Sequence, residues 1–198
     1  MAKKKILLLS DDLRMSSGVG TMSKEFVMGT IHHYDWAQAG GAIKHPEKGK
    51  VVNMDEAIRK DTGIADASLT IYPIDGYGSQ ELIRELLKRE KPDAILPTMG
   101  GQTALNTTLD LNRHKILEKY DVEIIGASVD SIDMAEDREL FKNAMASIGL
   151  ETARAYIAHD YKEAQEHQKK IGFPVLIRPS FTLGGSGGGI AYNIKDFE

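Results

Sequence analysis

Residues 178–189 read RPSFTLGGSGGG, and their chemistry sets the question for the whole chain. Arg178 carries a permanent positive charge and a planar fork of donors suited to phosphate oxygens. It precedes a loop of five glycines in six residues: Gly184, Gly185, Ser186, Gly187, Gly188 and Gly189. Without Cβ atoms, successive backbone N–H groups can turn toward one anion and approach it closely. A strand-to-strand connection of this kind can fold over a polyphosphate as a flap. It is not a Walker A loop, which needs Gly-Lys-Ser/Thr and a following helix. Glycine content alone gives even weight to an ordinary flexible hairpin tip.

Other residues of reactive type read more blandly. Asp11 and Asp12 follow the first strand, at the carboxyl edge where α/β proteins bind ligands, but capping and turn formation is the better reading. His32 and His33 are adjacent, which on a helix sends their side chains to different sides, and neither has a ligand-type partner at i+4. His159 reads as a satisfied structural histidine, and Lys169 and Lys170 as a solvated helix C-terminus.

The elements that must hold these residues alternate. Residues 5–10, 68–74, 93–98 and 122–127 read as strands, with helices near 20–33, over 79–90 with Ser79 as N-cap, and over 102–120. Such alternation predicts a Rossmann-like parallel sheet domain over residues 1–127, with 5–10, 93–98 and 122–127 in one sheet. Residues 128–198 then read as α+β. They comprise a helix over 135–149 with Leu140, Phe141, Ala144, Met145 and Ile148 on one side, and a strand at 153–158. A helix opened by an Asp160/Glu163 capping box and closed at Gly172 follows, then a hairpin around the glycine loop.

Composition limits the function classes. The chain has 198 residues, 41% of them hydrophobic, enough for a real core. A net charge of −4 argues against a general nucleic-acid binder. With no cysteine, disulfide scaffolds, cysteine-ligated zinc and thiolate catalysis are excluded. The apolar run after the first lysines is too short for a signal peptide, and none approaches the length of a membrane span. The expectation is a soluble, cytoplasmic protein.

Four segments in order, PTMGGQTALN (97–106), IGASVDSIDMAEDRELF (125–141), IGLETARAYIAH (148–159) and GFPVLIRPSFTLGGSGGGIAYN (172–193), closely resemble the carbamoyl phosphate synthetase large subunit. The likeness is to its amino-terminal, carboxyphosphate-forming half, over about residues 91–198. It implies the end of a pre-ATP-grasp domain followed by a truncated ATP-grasp subdomain. In that family ATP phosphorylates bicarbonate to carboxyphosphate, and ammonia from a glutaminase small subunit gives carbamate, which a homologous second half phosphorylates. Carried over residue by residue, the ATP contacts fall on Arg138 of AEDR, Arg178 of RPS, and Gly184, Gly185, Ser186, Gly187, Gly188 and Gly189. The Mg2+ or Mn2+ ligands of the full enzyme would lie in a part outside this sequence, so the isolated chain is expected not to turn over ATP. The glycine loop is expected to be mobile without nucleotide. Residues 100–106 suit either a substrate-side lining or tight packing of a strand-to-helix turn.

Residues 1–90 resemble instead the amino-terminal Rossmann half of a phage-type glycosyltransferase, on the SGVG loop of Ser17, Gly18, Val19 and Gly20. The expectation is therefore a composite chain joined near residues 90–98. Three functions stand at this point: a synthetase piece, a sugar-nucleotide transferase half, and a non-catalytic Rossmann-like module.

Overall fold

The computed structural model describes residues 3–76, 79–179 and 188–198. The chain divides into two compact units, Met1–Val129 and Asp130–Glu198.

The first unit alternates strands and helices in the order Lys4–Asp11 (β1), Gly18–Thr30 (α1), Tyr34–Ala42 (β2), Val52–Asn53 (β3), Asp55–Thr62 (α2), Leu69–Asp75 (β4), Gln80–Glu90 (α3), Ala94–Leu96 (β5), Gly101–Arg113 (α4), Ile116–Lys119 (α5) and Glu123–Ile124 (β6). The strands form one sheet in the order β3-β4-β2-β1-β5-β6, parallel except for β3. The run KILLLS forms the centre because a central parallel strand is covered on both faces. Leu7 and Leu9 join Ala37, Ala39 and Ile95 in one core, while Ile6 and Leu8 join Trp36, Ala94 and Leu96 in the other. Residues 5–10, 93–98 and 122–127 thus contribute to one parallel sheet, as expected, though the last two strands are shorter.

Two local outcomes differ from the sequence reading of this unit. Residues 34–42, YDWAQAGGA, carry little β-propensity yet form the long β2 between β1 and β4. Small side chains suit it there: a Cβ on Gly40 would lie 3.1 Å from the Asp12 side chain. The single helix expected over 102–120 is broken, because Lys115 takes a left-handed φ of 57° and starts α5 afresh. Ser79 caps α3 as expected, its Oγ accepting from the Leu82 N–H.

The second unit holds Val129–Glu136 (α6, from its second residue), Arg138–Ser147 (α7), Tyr161–Ile171 (α8), Val175–Ile177 (β7), Gly189–Ala191 (β8) and Ile194–Phe197 (α9). The helix expected over 135–149 starts at Arg138 instead, because the Asp137 carboxylate accepts from the Glu139 and Leu140 N–H groups and divides α6 from α7. Its apolar side stays half-exposed, with Leu140 at 48% and Phe141 at 45%. Residues 153–158 are not a strand: they are exposed and pair with no strand among the described residues. Without a ladder partner, β-propensity has nothing to stabilise. The Asp160 cap forms as expected, but Glu163 reaches back one residue beyond it. Asp160 accepts from the Glu163 N–H, Glu163 accepts from the His159 N–H, and α8 ends at Gly172.

Candidate functional site

The hairpin is antiparallel, with Ile177 opposite Gly189. Continuing that register by one step sets Arg178 opposite Gly188. Both therefore sit at the root of the glycine loop, with Arg178 exposed. A Cβ on Gly188 would meet the Ile177 carbonyl oxygen at 3.4 Å, an ordinary contact, so strand packing does not account for this glycine. Gly184, Gly185, Ser186 and Gly187 lie outside the described residues, and with them the expectation about loop mobility.

Arg138 reaches the same place from α7. Its Nη1 donates to the carbonyl of Pro179, the residue after Arg178. The Asp137 cap fixes where α7 begins and so where the Arg138 side chain starts. Two guanidinium-bearing residues 40 positions apart in sequence thus meet at one hairpin root. Such an arrangement can offset phosphate charge.

A different charged cluster organises the carboxyl edge of the first unit. Asp12 is fully buried. Its carboxylate accepts from Arg14 through Nε and Nη2 at 3.0 and 2.7 Å, and from the Arg14 backbone N–H at 2.9 Å. His45, 6% exposed, completes the set at 3.0 Å through Nε2. Its Nδ1 accepts from the Glu47 N–H, so the proton sits on Nε2 and is donated to Asp12. Burial alone pushes the Asp12 carboxyl up, but the Arg14 hydrogen bonds and charge, with His45, outweigh it and hold the group below the ordinary carboxylate range. Buried Gln38 bonds the same loop, donating to Ser10 Oγ and the Asp11 carbonyl and accepting from the Leu13 N–H. The turn reading of Asp11 and Asp12 therefore holds: Ser17 Oγ donates to Asp11, and Ser17 caps α1. Sequence reasoning missed His45 and Gln38, because nothing in their spacing marks the first as a partner of Asp12 or the second as a partner of the loop around it.

The remaining candidates resolve simply. Gly100 precedes α4 with φ −108°, and a Cβ there would lie 2.4 Å from the Leu9 carbonyl oxygen, so close helix-strand packing accounts for this glycine. His32 and His33 do not point apart. They lie beyond the end of α1 with ring centroids 3.8 Å apart. His159 bonds Glu163, at 3.2 Å through Nδ1. Among the described residues no group of three His, Asp or Glu could hold a metal ion, so the Mg2+ or Mn2+ implied by the resemblance finds no fitting donor set there. No helix among them is long and apolar enough to cross a membrane.

Comparison with known proteins adds the family. Residues 23–134 match the family described as carbamoyl phosphate synthase preATP-grasp domain, and residues 137–198 match the carbamoyl-phosphate synthase L chain, ATP binding domain. The chain belongs to the carbamoyl-phosphate synthase large-chain family. The large chain from Halomonas eurihalina is 48% identical over 176 residues, covering 87% of this chain and 16% of that protein. The chain thus spans about a sixth of the length of the curated relatives it matches. Among solved structures, Rhizobium etli pyruvate carboxylase with the allosteric activator acetyl coenzyme A superposes with a TM-score of 0.62 at 17% identity, covering 99% of this chain and 16% of that one. The biotin carboxylase domain of a single-chain bacterial carboxylase gives 0.54 at 12% identity, covering 98% and 38%. At these identities the likeness is one of fold: a Rossmann-like sheet domain followed by ATP-grasp elements.

The comparisons correct one expectation. The preATP-grasp match begins at residue 23 and crosses residues 90–98, so no change of family falls there, and nothing favours the glycosyltransferase likeness of residues 1–90. The SGVG loop instead meets a local need. A Cβ on Gly20 would lie 2.8 Å from the Met15 carbonyl oxygen, and Ser17 caps α1. A short glycine-containing turn after a first strand serves any Rossmann-like sheet.

Proposed function

We propose that this chain supplies part of the nucleotide-phosphate site of a carboxyphosphate-forming ATP-grasp unit, with residues 1–127 as its pre-ATP-grasp domain and 128–198 as the start of the ATP-grasp domain. The observation that carries the reading is the contact between Arg138 and the Pro179 carbonyl, which brings the AEDR and RPS segments together at the root of the glycine loop. In this reading Arg138 and Arg178 bind ATP phosphate oxygens, and the amides of Gly184, Gly185, Ser186, Gly187, Gly188 and Gly189 close over them. A bicarbonate oxygen attacks the γ-phosphorus, the bond to the β-phosphate oxygen breaks, and ADP leaves with that electron pair. The chain's own contribution is to orient the triphosphate and offset its developing charge. Mg2+ or Mn2+ would add further charge stabilisation from ligands elsewhere. In the whole protein, a glutaminase partner would deliver ammonia to the carboxyphosphate, toward carbamoyl phosphate for pyrimidine and arginine biosynthesis in the cytoplasm.

The test is ATP titration of the 198-residue chain by calorimetry at several salt concentrations. Binding with a Kd of about 1 mM, weakening as salt rises, is expected. Arg178→Ala and Arg138→Ala should each weaken it several-fold. Binding that neither substitution nor salt affects would refute the assignment.

A further inference from the structure

Residues 43–50, IKHPEKGK, leave the end of β2, pass the carboxyl end of β4 and touch the loop after β1 before the chain enters β3. No apolar side chain holds this strap down. Ile43 is 94% exposed, and His45 is the side chain that the strap buries. Its backbone meets the sheet through the Gly49 N–H, which donates to the Pro73 carbonyl at 3.2 Å. The other ties are polar: the His45 N–H donates to Asp75, Lys48 pairs with Asp75, and Glu47 pairs with Arg14.

The His45 ring is the latch, and both of its nitrogens are used in one protonation state. Nε2–H donates to Asp12, while the Nδ1 lone pair accepts from the Glu47 N–H at 3.1 Å, two residues along the same strap. A second proton, at Nδ1, sets donor against donor and breaks that bond. No counter-charge is free to compensate it. Asp12 already holds the Arg14 guanidinium, Glu47 faces Arg14 and Lys50, and Asp75 holds Lys48. Lys44, the residue before, adds a further positive charge. An imidazolium on a side chain 2% exposed is costly without a partner of its own. Both penalties vanish when the strap lifts and the ring enters water. The carboxylates stay ionised meanwhile. Hydrogen bonds from Arg14 and Lys48 hold Glu47 and Asp75 below the ordinary range, and Asp12, despite its burial, is held low by Arg14.

We propose that residues 43–50 form a proton-released strap: uptake of one proton by His45 lifts it from the carboxyl edge of the first unit and uncovers the Asp12–Arg14 pair. Parallel α/β sheets meet their ligands at that edge, so the strap governs access to it. Imidazole is the side chain whose charge changes between about pH 5 and 8. Mild acid therefore opens the strap while the two cores, to which it contributes no residue, stay packed. The inference does not depend on the phosphate-site reading.

The test is amide exchange of the 198-residue chain, followed by NMR between about pH 5 and 8 and corrected for the intrinsic effect of pH. The Gly49 N–H is the reporter, because its acceptor is a backbone carbonyl that does not titrate. Its protection should fall by up to about tenfold for each pH unit, the limit for uptake of one proton, while β1 keeps its protection. The His45 ring and the Glu47 N–H should shift with one shared midpoint. In His45→Gln, whose side chain takes up no proton, Gly49 protection should be the same at both ends of the range. Gly49 protection that does not change with pH in the parent chain overturns the proposal, as does a pH dependence that survives in His45→Gln or that β1 shares. Separate midpoints for the His45 ring and the Glu47 N–H overturn it without any variant.

Discussion

Gly100 and Gly101 are neighbours at the start of α4, yet alanine should fail at each for a different reason and by a different amount. At Gly100 the backbone is permissive, with φ −108°, but the added Cβ would sit 2.4 Å from the Leu9 carbonyl oxygen and 2.5 Å from the Ala104 Cβ. Ordinary contact begins at 3.4 Å, so something must move by about 1 Å. Leu9 is fully buried in β1 and paired with Ala39, and Ala104 is fully buried in α4, so neither yields cheaply. Overpacking of this kind costs about 3 kcal/mol, the upper end of the usual range, because backbone rather than a flexible side chain is displaced. At Gly101 nothing lies within 4 Å, but φ is +63°, and alanine there costs about 1 kcal/mol of left-handed strain. Urea denaturation followed by Trp36 fluorescence reports the first unit alone, since that residue is the only tryptophan and is buried there. With a slope of about 2 kcal/mol per molar urea, the midpoint should fall by about 1.5 M for Gly100→Ala and about 0.5 M for Gly101→Ala. Equal shifts, or a Gly100→Ala chain as stable as the parent, would refute the packing argument. A stable Gly100→Ala chain with weakened ATP binding would assign the residue to a ligand instead.

Three further outcomes are expected. Burial, and then the hydrogen bond its hydroxyl donates to Glu90, raise the Tyr72 pKa to about 12 from 10.0. The folded value exceeds the unfolded one, so this stabilisation is complete below about pH 10 and is lost toward pH 12, a change of about 2–3 kcal/mol that Tyr72→Phe should abolish in alkaline denaturation curves. Asp12 has a lowered folded pKa, so its contribution is present above about pH 4 and lost as pH falls further. Asp12→Asn should cost about 2–3 kcal/mol at neutral pH and flatten that acid dependence, modest for a buried pair because Arg14 keeps Glu47. Asp160→Ala removes the cap of α8 and should lower the stability of the second unit by about 1 kcal/mol, seen as faster amide exchange in that helix while β1 is unaffected.

What the sequence alone determined is what local chemistry and periodicity can carry. An uninterrupted apolar run such as KILLLS has only one comfortable place, the middle of a covered parallel sheet. Ser79 and Asp160 cap their helices because a side-chain oxygen three residues before an N–H needs no distant partner. The long motifs around Arg138 and Arg178 marked the phosphate-binding candidates and their family. Tertiary structure decided the rest. Residues 34–42 became a strand because β1 and β4 offered ladder partners on both sides, whereas residues 153–158, with better β-propensity, were offered none. His45 and Gln38 became part of the Asp12 cluster only once parallel pairing set β2 beside β1. The meeting of Arg138 with Pro179 across 41 residues follows from packing between elements. Pattern along a chain registers the turns and faces of single elements. Which distant faces meet depends on the free energy of the assembled core, and no one segment encodes that.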